Sequence, residues 1–194
     1  MQTKTLLLLA NGFEIFEAGV FIDVLGWNRV EGDQTTELVI CGFQREIKGT
    51  FGVTLIADVL IDEIDIVDYD ALAIPGGFET FKFYDQSYSE QFTSIIRQFN
   101  DLKKPIASIC TGALPIGKSG ALKGRNGTTY NQGGVRQKQL KEWGVFVQNE
   151  PIVVDNNIIT SWNPATAVDV AFKLLERLTS KEQAQYVRGL MGFE

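Results

Sequence analysis

Short apolar runs alternate with segments whose apolar residues recur every three or four positions, and the alternation continues along the whole chain. Thr5–Ala10 reads as a buried first strand, closed at once by Asn11-Gly12. In Phe16–Val30, Val20, Val24 and Trp27 share one helical face with Phe21 and Leu25 beside them, which predicts a helix. Glu37–Cys41 is a second strand ending at Gly42, and Ile47–Leu55, broken by Gly49 and Gly52, predicts a hairpin or edge excursion. Ala71–Ile74 is a third strand, stopped by Pro75-Gly76-Gly77. Ser89–Leu102 carries Phe92, Ile95, Ile96 and Phe99 as an apolar stripe, Lys103-Lys104 complements its dipole, and Pro105 ends it. Ile106–Ile109 is a fourth strand with a helix from about Thr111 to Ser119 directly behind it. Gly127–Tyr130 is a candidate short strand and Gly134–Trp143 a helix. Ile152–Val154 and Ile158–Ser161 flank Asp155-Asn156-Asn157 as a hairpin. Asn163-Pro164 opens the apolar helix Ala165–Leu178, and Ser180–Met191 reads as a last helix.

Strands alternating with helices predict an α/β fold with an open, mostly parallel sheet covered on both faces. No linker, repeat or low-complexity tract divides the 194 residues, so one domain over 1–194 is expected. In such sheets ligands gather beyond the carboxyl ends of the strands. Asn11–Glu17, Pro75-Gly76-Gly77 and Cys110 all fall there, after strands one, three and four.

Composition narrows the chemistry. The net charge of −6 and the short, interrupted basic groups Lys103-Lys104 and Arg136/Lys138/Lys141 argue against nucleic acid and read as solvated helix faces or ends. Thr5–Ala10 is too short for a signal core or a membrane span, so no membrane partner and a reducing cytoplasm are expected. The chain has two cysteines, Cys41 and Cys110, and no histidine. That inventory removes His-based general acid–base catalysis and most zinc or copper sites, and no metal or other cofactor is expected.

Cys110 stands where the apolar run Ile106–Ile109 meets Thr111-Gly112-Ala113, a strand, a bend and a helix with a thiol at the bend. A helix N-terminus offers backbone N–H groups and partial positive charge, and predicts a thiol pKa below the free value of about 8.5. An oxyanion formed by attack on a carbonyl needs backbone donors, for which Gly77 and Thr111 are candidates. Glu17 is a candidate polar partner whose pKa burial would raise. Each has a plainer reading. A cysteine in an apolar run suits an inert core position, as does Cys41. Gly76-Gly77 suits a turn, and Glu14 or Glu17 suits a first-turn residue favouring the dipole. Phe13, Phe78 and Trp162 are either lids over a pocket or core.

The stretches LLLLANGFEIFEAGVFIDVL, YDALAIPGG, PIASICTGALPIGKSGALKGRNGTTY and IITSWNPATAVDVAFKLLERL resemble the ThiJ/PfpI superfamily of DJ-1-like proteins, in the family's order and over nearly the whole chain. The resemblance implies a flavodoxin-like three-layer sandwich, a homodimer and a reactive cysteine on a nucleophile elbow. Residue by residue, Cys110 matches the family cysteine, Glu17 its acidic partner, and Gly77 and Thr111 the oxyanion-binding backbone positions, with Gly76, Phe78 and Tyr130 as pocket candidates. The chain also departs from the family. Many members carry a histidine after a Thr-Thr-like pair, and here Thr128-Thr129 leads to Tyr130. A phenol with an ordinary pKa of about 10 is a poor base near neutrality, though its hydroxyl donates a hydrogen bond. The expected function is therefore a cysteine-dependent small-molecule hydrolase or lyase working without a Cys–His pair, in the glyoxalase, deglycase or amidase manner. The alternatives are a redox-sensing protein with an oxidisable cysteine, and a non-catalytic ligand-binding dimer.

Overall fold

The structure is a computed structural model and describes residues 2–193. In chain order its elements are β1 (Thr3–Leu8), α1 (Ile15–Val30), β2 (Thr36–Gly42), β3 (Glu46–Lys48), β4 (Thr54–Ile56), β5 (Val59–Leu60), β6 (Ala71–Ile74), α2 (Phe83–Ser87), α3 (Glu90–Asp101), β7 (Ile106–Ser108), α4 (Ala113–Ser119), β8 (Asn126–Gly127), α5 (Val135–Glu142), β9 (Phe146–Val147), β10 (Ile152–Asp155), β11 (Ile158–Ser161), α6 (Ala167–Leu178) and α7 (Lys181–Leu190). Seven strands form the main sheet in the order β10-β11-β7-β6-β1-β2-β5. All neighbours are parallel except the β10–β11 hairpin, which pairs Ile152 with Ser161 and Asp155 with Ile158.

The period of a strand explains the three layers. Leu6, Leu8, Leu72, Ile74 and Ile106 point into a core shared with α3, α4 and Leu140 of α5. Leu7, Leu9, Ala71, Ala73 and Ala107 point the other way, against α1, α6 and Val187 of α7. Each helix lays its stripe on one of these faces. Phe92, Ile95, Ile96 and Phe99 of α3 are buried on the first, and Val20, Phe21, Val24 and Leu25 of α1 on the second. Trp27, expected on the same α1 face, is instead 39% exposed, standing in the last turn of α1 beside Asp23, Gly26 and Glu31.

Ser89 caps α3 by accepting the Phe92 N–H, and Ser180 caps α7 by accepting that of Gln183. Lys104 does more than face the end of α3. Its ammonium donates to the carbonyls of Ile66, at 2.8 Å, and of Tyr69, and so holds the loop before β6. Gly127–Tyr130 is not one strand. Only Asn126–Gly127 pairs, with Phe146–Val147, and Thr128 and Thr129 leave the strand to reach the elbow region.

The chain moves from β1 outward to β2 on one side and to β6 and β7 on the other, so the order of strands reverses between β1 and β6. Loops leaving neighbouring strands in opposite directions open a crevice at their carboxyl ends, and the pocket lies there.

Candidate active site

Three loops build the site, and backbone hydrogen bonds tie them together. After β1, Phe13 and Gly77 form an isolated antiparallel bridge, and Phe78 N–H donates to Gly12 C=O at 3.1 Å. Glu14 N–H donates to Gly76 C=O at 2.8 Å, docking the start of α1 against the loop after β6. The β3–β4 hairpin braces the first loop, since Gly12 N–H donates to Lys48 C=O at 2.7 Å and Thr50 N–H to Phe13 C=O at 2.9 Å.

Cys110 follows β7 at the start of a 3-10 turn, Cys110–Gly112, that feeds α4. Its φ is 55°, a left-handed conformation that costs a residue with a Cβ about 1–3 kcal/mol. The surroundings hold it there. Gly112 N–H donates to Ile109 C=O at 2.9 Å, and the Thr129 hydroxyl donates to the Cys110 carbonyl at 2.9 Å. A Cβ on Gly112 would lie 2.6 Å from the Ile74 carbonyl oxygen, so only glycine lets the bend pack onto the end of β6.

Glu17 lies in the first turn of α1, its N–H accepted by the capping carboxylate of Glu14 at 2.8 Å, and its side chain is fully buried. Oε2 accepts the Gly76 N–H at 2.6 Å. Oε1 has no hydrogen-bond partner, and Cys110 lines the same pocket as this carboxyl. Burial pushes the Glu17 pKa up to about 8, opposed by the Gly76 N–H and aided by the charge of Glu14. The carboxyl therefore keeps its proton near neutrality.

The thiol does not follow the direction expected from the bend. Burial pushes the Cys110 pKa up, the Glu17 charge adds to this, and the Thr111 N–H is the main opposing influence. Carboxyl and thiol act as one pair, in which ionisation of either raises the other. A short 3-10 turn aims one backbone donor at the sulfur and does not outweigh that burial.

Gly77 lines the pocket, but its N–H donates to Thr111 Oγ1 at 2.9 Å, and that hydroxyl in turn donates to the Gly77 carbonyl at 2.9 Å. The Thr111 N–H is left as the donor facing the sulfur, while Gly77 fixes Thr111. Gly76 stands behind the pocket. A Cβ there would meet Thr111 Oγ1 at 2.7 Å, Glu17 Oε2 at 2.9 Å and Thr111 N at 2.9 Å.

The pocket is about 270 Å³, with Cys110, Thr111, Glu17, Gly77, Phe78 and Tyr130 of the expected set among its lining. Glu14, Glu79, Tyr84, Arg136 and Pro164 complete it. Tyr84 sits on the unexpected helix α2, and Arg136, read from sequence as a solvated helix-face residue, lines the wall. Burial pushes the Tyr84 phenol up to about 12, opposed by the Arg136 charge and the Thr111 hydroxyl. Phe13 is core, wholly buried, and Trp162 is not part of the lining. Cys41 is inert core, its thiol pushed up to about 12 by burial. Both cysteines are free. Among the described residues no group of three or more His, Cys, Asp or Glu is placed to hold a metal ion, and no helix is long and apolar enough to cross a membrane.

The site thus joins a flavodoxin-like sheet to a cysteine in the left-handed conformation at the end of a central strand, with a buried carboxyl beside it. The chain belongs to the DJ-1/PfpI family, whose sequence profile matches residues 3–177. It is 32% identical over 163 residues to a deglycase of Pyrococcus horikoshii, covering 84% of this chain and 91% of the relative. It is 31% identical over 189 residues to protein DJ-1 homolog B of Arabidopsis thaliana, covering 96% of this chain but only 40% of the plant protein. The crystal structure of DJ-1beta of Drosophila melanogaster superposes with a TM-score of 0.85 at 26% identity, covering 98% of each chain.

Proposed function

We propose that this protein is a cysteine-dependent enzyme acting on small carbonyl compounds, with Cys110 as nucleophile and Glu17 as proton carrier. The observation that supports it best is the fully buried Glu17 carboxyl beside the Cys110 thiol, one oxygen held by Gly76 and the other without a fixed partner. Near neutrality both groups carry a proton, and the reactive form arises when the thiol releases its own to solvent while Glu17 keeps its proton. In the form with thiolate and carboxylic acid, sulfur adds to the carbonyl carbon, the C=O π bond opens, and the new alkoxide sits at the Thr111 N–H. Glu17 then gives its proton to that oxygen, leaving a hemithioacetal and a carboxylate ready to take the proton back. No histidine is needed for this exchange. The Tyr130 hydroxyl lines the same pocket as a hydrogen-bond donor to the substrate.

The family's deglycase relatives agree with a carbonyl-directed thiol. A reducing, cytoplasmic setting and a homodimer belong to the same reading, the dimer being checked by light scattering on the purified chain. The test of function is turnover of glyoxal and methylglyoxal by the wild-type protein against Cys110→Ala and Glu17→Gln. Loss in both variants is expected, and undiminished turnover in Cys110→Ala rejects thiol chemistry.

A second reading rests on the unpartnered Glu17 oxygen. A protonated carboxyl there is placed to donate to an oxidised sulfur, which suits a redox-responsive cysteine. Selective sulfinic acid at Cys110 after mild peroxide, with no aldehyde turnover, favours this alternative.

A further inference from the structure

Arg136 is the one basic side chain among the residues lining the pocket. Its guanidinium lies over the Tyr84 ring, 4.8 Å from the centroid. Nη1 donates to Gln139 Oε1 at 3.3 Å, and Gln139 is itself tied to the Tyr88 hydroxyl at 3.1 Å. Tyr84 and Tyr88 pack with their rings tilted by 32° and centroids 4.7 Å apart, and Tyr88 meets Trp143 edge-on at 5.7 Å. The cation is thus fixed by a rigid aromatic wall. Its anionic partner is not. Glu79 reaches it through a single hydrogen bond of 2.7 Å, and the Glu79 side chain is 73% exposed against 23% for Arg136.

A pair with one member in open solvent contributes little to stability, so another carboxylate can take the place of Glu79 at small cost. The planar fork of arginine matches a carboxylate with two parallel donors. Phe78, Tyr84, Tyr130 and Pro164 supply apolar and aromatic wall, and the buried Glu17 carboxyl, its pKa pushed up to about 8, adds no negative charge near neutrality. Glu14 is occupied in capping α1. We propose that Arg136 forms a carboxylate subsite of the Cys110 pocket, and that the preferred ligands are small carbonyl compounds bearing a carboxylate. The assignment rests on the reading of Cys110 as nucleophile but is open to an independent test.

Iodoacetate and iodoacetamide provide it. Both alkylate a thiolate by forming an S–C bond and expelling iodide, and they are nearly the same size but differ in charge. Rates are read at the Cys110 peptide by mass spectrometry. The iodoacetate-to-iodoacetamide rate ratio is expected to fall at least fivefold in Arg136→Gln, to be partly kept in Arg136→Lys, and to rise in Glu79→Gln. Circular dichroism confirms that each variant is folded. An equal ratio in wild type and Arg136→Gln overturns the subsite. Should Cys110 resist both reagents, the nucleophile reading fails by itself, and calorimetry with oxamate, an unreactive carboxylate, decides the subsite. Oxamate binding by wild type that is lost in Arg136→Gln supports it, and no binding, or equal binding by both, overturns it.

Discussion

Replacing Glu17 by glutamine separates its charge from its shape. Glutamine imitates the protonated carboxyl, with an oxygen to accept the Gly76 N–H and an amide donor toward the Cys110 sulfur, but it cannot ionise. In the folded wild type the Glu17 pKa stands at about 8 against an ordinary 4.5. Between those values the folded chain holds a proton that the unfolded chain has released. Stability is therefore fully present below the lower value and declines as pH rises through the window to the upper one. Each pH unit costs about 1.4 kcal/mol, so the window is worth about 5 kcal/mol. The glutamine variant lacks this decline. Urea unfolding of both proteins, followed by circular dichroism from about pH 5 to about pH 8.5, is expected to show the variant gaining about 4 kcal/mol on wild type. Two stability curves that run parallel across this range would refute the buried, protonated carboxyl and, with it, the proton carrier.

The same variant removes the charge that helps push the Cys110 thiol up, so the midpoint of its alkylation against pH is expected to move down; an unmoved or raised midpoint would uncouple the pair. Gly76→Ala forces a methyl within 2.9 Å of Glu17 Oε2 and Thr111 N, with an expected loss of about 1–3 kcal/mol in urea melts and slower Cys110 alkylation. Thr129→Val strips the Cys110 carbonyl of its hydroxyl donor and is expected to cost about 1–3 kcal/mol while lowering aldehyde turnover; stability lost without any change in turnover would confine Thr129 to packing. Lys104→Met leaves the carbonyls of Ile66 and Tyr69 without their ammonium and is expected to lower stability by a similar amount while leaving Cys110 alkylation alone.

Periodicity carried most of the fold because each long helix lays one stripe on a core face and each central strand is buried on both. The α3 stripe and the β6 run Ala71–Ile74 are seen in the sequence as they stand in the structure. Short elements escaped because two or five residues make no period. β5, β9 and α2 owe their existence to partners distant in sequence, such as Cys41 for Val59. The site divides in the same way. Cys110, Glu17 and Tyr130 were legible because each marks a bend, a helix start or a family position. That the Gly77 N–H serves the Thr111 hydroxyl is not readable from sequence, because backbone direction is invisible there. Arg136 and Tyr84 gave no signal, since a lone arginine two residues past Gly134 looks like any surface cation. The direction of the Cys110 thiol went astray for a physical reason. Helix-end charge was visible in the pattern, but the depth of burial opposing it was not.

The contacts that close the site span very different stretches of chain. Thr129 meets Cys110 across 19 residues, Gly77 meets Thr111 across 34, and Gly76 meets Glu17 across 59. During synthesis the strand bearing Cys110 emerges before Thr129 exists to hold it, and well before β11 arrives to pair with β7. For that interval Cys110 lacks the Thr129 hydroxyl on its carbonyl and the strand that flanks β7. Its left-handed bend and its burial are completed only when the last third of the molecule docks, so a chain stalled before that point carries the residue but not its setting.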